Sequence, residues 1–171
     1  MAAIGLFYGS DTGNTENVAK KIQAKFGEEL VDIYDIAKSG KNDMEQYDYL
    51  IIGTPTWYTG ELQSDWESFM PTLKSMDLSG KKIALFGLGD QEDYSEYYLD
   101  GMGIMKETLL DMGVSLCGLW PKDGYTFEST KCLMDSDHFA GLALDEDRQP
   151  ELTDSRVDAW CDQVLLEFFP A

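Results

Sequence analysis

Apolar residues along this chain come in short runs that alternate with segments of helical period. Ala3–Tyr8, Tyr49–Ile52 and Ile83–Gly87 are almost continuously apolar, which is typical of strands buried on both faces of a sheet. Leu30–Tyr34 is a further strand candidate, and Val114–Leu119 is a weaker one. Alternation of strands with helices predicts an α/β fold with a parallel sheet and helices on both of its faces.

Helical period follows most of these runs. Val18, Ile22 and Phe26 recur at i, i+4 and i+8 after the first run, as the buried stripe of a helix does. The other segments with helical period are Asp65–Ser75, Gly103–Met112 and Ser155–Phe168. The chain has 171 residues and shows no linker or internal repeat, so we expect a single domain over residues 1–171.

One region interrupts the alternation. Trp120–Phe139 is rich in Lys, Asp, Gly, Ser and Thr, has no clear period, and precedes a short apolar run, Ala140–Leu144. We interpret this region as an insertion that interrupts or follows the last strand. Asp135 and Asp137 within it resemble a metal-binding loop only superficially, and a solvated surface is the simpler interpretation.

Composition limits the classes of partner and chemistry. The chain has 32 acidic and 13 basic residues, a formal net charge of -19, which repels nucleic acids and anionic membranes and favours basic partners. Solubility alone would explain this charge equally well. The three cysteines are widely spaced, which fits a reducing compartment and argues against a disulfide framework or a zinc site. The single histidine argues against a His-based triad. Because no signal peptide or membrane span is recognisable, we expect a cytoplasmic protein. We also expect a monomer, because no amphipathic surface beyond the core stripes calls for a partner.

In an open parallel sheet the ligand lies beyond the carboxyl ends of the strands. Three loops should meet there: Gly9–Thr15, Thr54–Gly60 and Leu88–Leu99. The first connects a strand to a helix and is composed of Gly, Ser, Asp, Thr and Asn, so its backbone N–H groups and hydroxyls suit a phosphate. An ordinary helix N-cap would have a similar composition. Neither GxxxxGK[ST] nor GxGxxG is present, which argues against a nucleoside triphosphate or a dinucleotide.

The other two loops each carry an aromatic residue outside the predicted core. Trp57 and Tyr94 lie in these loops, where they could hold a planar ring between them. Alternatively, Trp57 packs under its own loop and Tyr94 caps a helix. A phosphate site and two aromatics on one sheet edge together predict a ligand like a mononucleotide.

Four segments in this order are similar to those of flavodoxins, the bacterial electron carriers that contain FMN, and in particular of the long-chain group. The segments are FYGSDTGNTE, PTWYTGELQSDW, FGLGDQEDYSEYYLD and FAGLALDEDRQPELT. The resemblance runs along essentially the whole chain. It implies a three-layer, doubly wound, five-stranded parallel sheet in the order 2-1-3-4-5, with the long-chain insertion around Trp120–Phe139.

The resemblance also implies which residues bind FMN. The phosphate loop would comprise Ser10, Asp11, Thr12, Gly13, Asn14 and Thr15. The two flavin loops would comprise Pro55, Thr56, Trp57, Tyr58, Thr59 and Gly60, and Leu88, Gly89, Asp90 and Tyr94, with Trp57 and Tyr94 stacked on the ring. Tyr97 and Leu99 would close over the ring edge, and Asp147 would lie near the ribityl chain, although a solvated acidic run would explain Asp147 equally well.

The implied function is low-potential one-electron transfer, mainly between semiquinone and hydroquinone, without turnover of a substrate. The implied donors are a flavodoxin/ferredoxin–NADP⁺ reductase or a pyruvate oxidoreductase, and acceptors could be nitrogenase reductase or radical-SAM enzymes. A flavodoxin-like NAD(P)H–quinone reductase is one alternative, but stacking on both ring faces would exclude its substrate. A signalling receiver is another, but no Lys follows a suitable strand end and the aromatic loops would be unexplained.

The charges of the three loops predict a low potential. No Lys or Arg lies in these loops, while Asp90, Glu92 and Asp93 are negative. We therefore expect no cation near the flavin, so that the anionic hydroquinone is disfavoured. The semiquinone-to-hydroquinone potential should therefore lie clearly below that of free FMN.

The backbone near Tyr58 and Thr59 predicts limited stabilisation of the neutral semiquinone. A carbonyl here would have to turn to accept the flavin N5 proton, and β-branched Thr59 resists the positive φ that glycine adopts freely. We expect Thr59→Gly to increase the semiquinone yield in an anaerobic reduction titration followed by absorption. An unchanged yield would rule this idea out.

Overall fold

The central sheet is parallel, and its strand order follows the predicted winding. The computed structural model describes residues 1–57 and 59–171. The strands are β1 (Ile4–Tyr8), β2 (Val31–Asp35), β3 (Tyr49–Trp57), β4 (Glu61–Leu62), β5 (Lys82–Leu88), β6 (Leu116–Cys117), β7 (Trp120–Pro121), β8 (His138–Phe139) and β9 (Leu142–Leu144). The order is β2-β1-β3-β5, and both β6 and β9 pair with the outer side of β5. Counting β6 and β9 as one interrupted strand, this is the predicted order 2-1-3-4-5.

The insertion divides the last strand in two. β6 pairs with β5 at Ile83 and Ala84, and β9 pairs with the same strand two residues further on, from Phe86 to Leu88. Between them, β7 and β8 form a separate antiparallel pair. Of the two alternatives for the insertion, interruption of the last strand is therefore the one observed.

Helices cover both faces of the sheet and complete a three-layer α/β fold. They are α1 (Asn14–Phe26), α2 (Lys41–Glu45), α3 (Ser64–Lys74), α4 (Asp100–Asp111) and α5 (Thr153–Phe168). One core contains the buried side chains of α1 and α5, and the other contains those of α3 and α4. Each face of the sheet thus buries its own apolar surface, which explains why the central strands are continuously apolar.

Two helices differ from their predicted extents. The polar segment after β2 contains the short helix α2, whose one buried residue, Met44, is too little apolar signal to reveal it. Helix α4 begins at Asp100 rather than at the predicted Gly103. The apolar pattern does not reveal this first turn, because its buried residues Asp100 and Gly101 are not apolar. Among residues 1–57 and 59–171, no helix combines the length and apolar character needed to cross a bilayer.

Candidate functional site

A cleft opens at the carboxyl edge of the sheet, where the three predicted loops meet. Its lining residues are Thr12, Asn14 and Thr15 from the first loop, Pro55, Thr56 and Trp57 from the second, Leu88, Gly89, Asp90 and Tyr94 from the third, and Glu146 and Asp147 from a fourth segment after β9. Trp57 and Tyr94, far apart in sequence, therefore line one cavity.

Other predicted residues lie beside the cleft. Ser10 braces the first loop, because its Oγ accepts a hydrogen bond from the Gly13 backbone at 3.0 Å. Asp11 faces an adjoining pocket and accepts a hydrogen bond from Gln63 Nε2 at 3.2 Å. Thr59 and Tyr97 line a shallow groove on the far side of Tyr94. Gly60 lies against Asp100 at the start of α4. Tyr58 lies outside the described residues.

Leu99 lies in the core rather than at the cleft. Its side chain is fully buried and packs with the apolar residues of α3 and α4. Its φ of 59° is in the left-handed region, which non-glycine residues adopt at a cost, and it immediately precedes α4. Leu99 therefore lies at the turn of the chain into α4. The closure of Leu99 over the edge of the flavin ring, which the resemblance implies, stays a prediction.

The N-terminus of α1 is open to the cleft. Gly13 precedes the helix with φ 93°, and among the described residues no side chain caps the first turn. The first N–H groups of a helix have no intrahelical partner, and the helix dipole adds positive potential there. Because Thr12, Asn14 and Thr15 line the cleft at this point, the arrangement suits an oxyanion.

The second loop is held closely against the start of α4. The Gly101 backbone N–H donates to Thr56 Oγ1 at 2.9 Å, and a Cβ on Gly101 would lie 2.7 Å from the Pro55 carbonyl oxygen. Gly60 has φ 88°, and a Cβ there would lie 2.8 Å from Asp100 Oδ2. Glycine at both positions therefore permits a contact that fixes one wall of the cleft.

A cation lies against the third loop. Arg148, in the segment after β9, pairs with Asp90 at 3.0 Å, Glu92 at 2.8 Å and Asp93 at 3.0 Å. The expectation from the sequence considered only residues within the three loops, whereas Arg148 reaches the third loop from a fourth segment. The sequence DEDRQ contains this arginine, but nothing in the pattern identifies the loop it contacts.

The two acidic residues of this wall have opposite pKa shifts. Burial disfavours the ionised form of Asp90, but hydrogen bonds from Arg148 and from the backbone of Asp93 and Glu92 outweigh it and hold its pKa below the usual range. Burial and the neighbouring carboxylates of Asp90 and Asp145 raise the pKa of Asp147. Asp147, a predicted site residue, and Glu146, which was not predicted, both line the cleft.

The acidic residues of the insertion serve a local turn. Asp135 Oδ1 accepts the backbone N–H groups of Asp137 at 2.8 Å and His138 at 2.9 Å. In residues 1–57 and 59–171 no group of three or more His, Cys, Asp or Glu side chains is arranged to hold a metal ion.

Comparison with known proteins identifies the family. The flavodoxin family model matches residues 6–160. The chain belongs to the flavodoxin family. It is 56% identical over 167 residues to a flavodoxin of Klebsiella pneumoniae, covering 98% of this chain and 95% of that one. It is 54% identical to a flavodoxin of Haemophilus influenzae, covering 98% and 96%.

A solved structure supports the same assignment. The crystal structure of Fusobacterium nucleatum flavodoxin bound to flavin mononucleotide matches with a TM-score of 0.92 at 30% identity, covering 98% of this chain and 99% of that one. Members of the flavodoxin family are electron carriers that bind FMN. The resemblance to flavodoxins and the doubly wound fold expected from the sequence are thereby confirmed.

Proposed function

We propose that this chain is a low-potential one-electron carrier that binds FMN in the cleft at the carboxyl edge of the sheet. The phosphate would lie at the N-terminus of α1, the ring between Trp57 and Tyr94, and the ribityl chain near Asp147. One observation carries the proposal: the open helix N-terminus and the two aromatics line the same cavity, so a phosphate and a planar ring fit there together. FMN supplies the redox chemistry, because it accepts and returns electrons one at a time.

The residues of the chain would set the potential. Asp90, Glu92, Asp93, Glu146 and Asp147 place negative charge at the cleft or on its loops, and Arg148 offsets only part of it. Added negative charge on the ring is therefore opposed by its surroundings. Trp57 and Tyr94 would cover the ring and exclude water, which strengthens this opposition.

The test is an anaerobic redox titration of the FMN-reconstituted protein. We expect the second one-electron potential to lie clearly below that of free FMN, with the same buffer and free flavin as the control. We also expect no oxidation of NADPH until a reductase is added. A second potential at or above that of free FMN would contradict the electrostatic account, and direct NADPH oxidation would favour the quinone-reductase alternative.

The partners would be redox proteins with basic docking surfaces, in the cytoplasm. The net charge of -19 supports weak, salt-sensitive association steered by long-range attraction. Reductases or pyruvate oxidoreductases would donate electrons, and nitrogenase reductase or radical-SAM enzymes are candidate acceptors. Electron-transfer rates with such a partner should fall steeply as the ionic strength increases, and rates independent of salt would argue against this mode of docking.

A further inference from the structure

We propose that Asp145 is a positioning residue that holds together the two loops forming one wall of the cleft. The inference rests on the proposed function, because the cleft is taken to be the FMN site. Asp145 neither lines the cleft nor was predicted as a site residue, yet it is a fully buried carboxylate immediately beyond β9. A buried carboxylate is costly unless donors satisfy it, so its partners indicate what it does.

The position of Asp145 follows from the pairing of β5 with β9. The last pair of the ladder is Leu88 with Leu144, and the Gly89 backbone donates to the Leu144 carbonyl oxygen at 3.1 Å. Beyond this point β5 continues into the loop that carries Asp90, and β9 continues into the segment that carries Asp147. Asp145 therefore lies where regular strand pairing no longer holds the two segments together.

Each oxygen of the Asp145 carboxylate binds one of these segments. Oδ2 accepts hydrogen bonds from the Gln91 backbone N–H and from Gln91 Nε2, both at 2.9 Å. Oδ1 accepts the backbone N–H groups of Asp147 at 3.0 Å and Arg148 at 2.9 Å. The carboxylate thus replaces the missing strand pairing with two hydrogen bonds across the gap, from Gln91, while the other two fix the turn of its own segment.

An ionised carboxylate suits this place better than an amide of the same shape. Four N–H groups converge on the side chain, and only an acceptor with lone pairs on both ends satisfies them all. Asparagine would turn its NH₂ group toward one pair of donors, leaving those N–H groups without their acceptor. The structure therefore calls for aspartate in particular at position 145.

Gln91 extends the network to the insertion. Its Oε1 accepts the Thr126 backbone N–H at 2.7 Å, and its Nε2 also donates to Gln149 Oε1 at 2.9 Å. Gln149 Nε2 in turn donates to the Gly124 carbonyl oxygen at 3.0 Å. The part of the insertion nearest the cleft is thereby tied to the same wall through Gln91 and Asp145.

The consequence concerns the ligand, because the tied segments carry cleft residues. Asp90 and Tyr94 follow β5, and Asp147 follows β9. If the segments separate, the wall loosens, the contact of Tyr94 with a flat ring weakens and water enters. Affinity for FMN should fall, and the second reduction potential should become less negative, because water solvates the added negative charge.

The test compares Asp145→Asn with Asp135→Asn in the full-length chain. Asp135 is the matched control, because its Oδ1 also accepts two backbone N–H groups, two and three residues ahead, but in an exposed turn of the insertion. We expect the dissociation constant for FMN, from fluorescence titration of the apoprotein, to rise at least tenfold, about 1.4 kcal/mol, in Asp145→Asn and to stay near the parent value in Asp135→Asn. The second potential, from anaerobic titration at saturating FMN, should rise only in Asp145→Asn.

The outcomes separate this inference from the proposed function. If the parent protein does not bind FMN, the proposed function fails. If the parent binds FMN and folded Asp145→Asn matches it in affinity and potential, the positioning role is refuted. A lower apoprotein stability with unchanged affinity and potential would also refute it, because it would indicate a merely structural role.

If Asp145→Asn does not fold, Gln91→Met tests the positioning role of Asp145 instead. This variant removes the three hydrogen bonds that the Gln91 side chain makes with Asp145, Gln149 and Thr126. It leaves Asp145 its three backbone donors. We expect a weaker loss of FMN affinity with a potential shift in the same direction. Parent-like affinity and potential in Gln91→Met would overturn the proposal.

Discussion

Gly141→Ala should destabilise the protein by about 3 kcal/mol, because the added methyl group has no room. A Cβ on Gly141 would overlap the carbonyl oxygen of Leu85 and lie 2.7 Å from its carbonyl carbon. These are backbone atoms of the central strand β5, and they cannot rotate away as a flexible side chain could. If the methyl group pushes the segment at Gly141 away from β5, it disrupts the pairing of β9 with β5, which begins directly after Gly141.

Chemical unfolding measures this effect, with Gly40→Ala as the control. A Cβ on Gly40 has its nearest neighbour, Asp43 Oδ2, at 3.8 Å, and the backbone there is extended. We expect a loss of no more than about 1 kcal/mol for Gly40→Ala, because Gly40 is the N-cap of α2 and alanine is less favourable there. Because β9 leads into Asp145 and Asp147, FMN affinity should also fall in Gly141→Ala under conditions where it remains folded. Parent-like stability of Gly141→Ala would show that β9 is not packed against β5 as described.

Arg148→Met should make the second one-electron potential more negative, by roughly 20–60 mV. The arginine pairs with Asp90, Glu92 and Asp93, so its removal leaves their negative charge uncompensated beside the cleft. Methionine keeps an apolar stem of similar length. Lys41→Met is the matched control, because it removes one positive charge from the exposed pair with Glu45 on α2.

The same variant should lose stability in a pH-dependent way. Asp90 is largely buried and its pKa is lowered in the folded protein, so its contribution to stability is present at neutral pH and is lost as the pH falls through that lowered value. The difference in unfolding free energy between the parent and Arg148→Met at pH 7 should therefore shrink below about pH 4. A difference independent of pH, or a potential equal to that of Lys41→Met, would contradict the role given to Arg148.

The parts of the site that the sequence predicts are those built from contiguous residues. The loop from Ser10 to Thr15 was recognisable because a strand end, small polar residues and a helix start follow one another. Trp57 and Tyr94 were recognisable as aromatics in glycine-containing loops, and parallel winding brings such loops to one edge. Their common edge therefore follows from the parallel sheet, which the alternation of strands and helices indicates, whereas the order of the strands was implied by the resemblance.

The missed residues act across segments that are distant in sequence. Arg148 was overlooked because its partners lie on the loop after β5, and Asp145 because its function depends on Gln91. An acidic run such as DED is usually solvated surface, and its pattern does not distinguish the buried Asp145 from its neighbours. Leu99 was assigned to the ring edge because a resemblance transfers positions along the chain and not burial.

The sequence by itself determined the layers, the winding and the edge at which a ligand would bind, because these depend on periodicity and on the fixed handedness of strand–helix–strand units. Only the tertiary structure decided that the insertion divides the last strand, that Arg148 neutralises part of the third loop and that Asp145 closes the gap between two loops. The contacts of Arg148 with Asp90 and of Asp145 with Gln91 join segments more than 50 residues apart. Local pattern carries no information about such pairs, because the partner of a polar side chain is set by where the whole chain has folded.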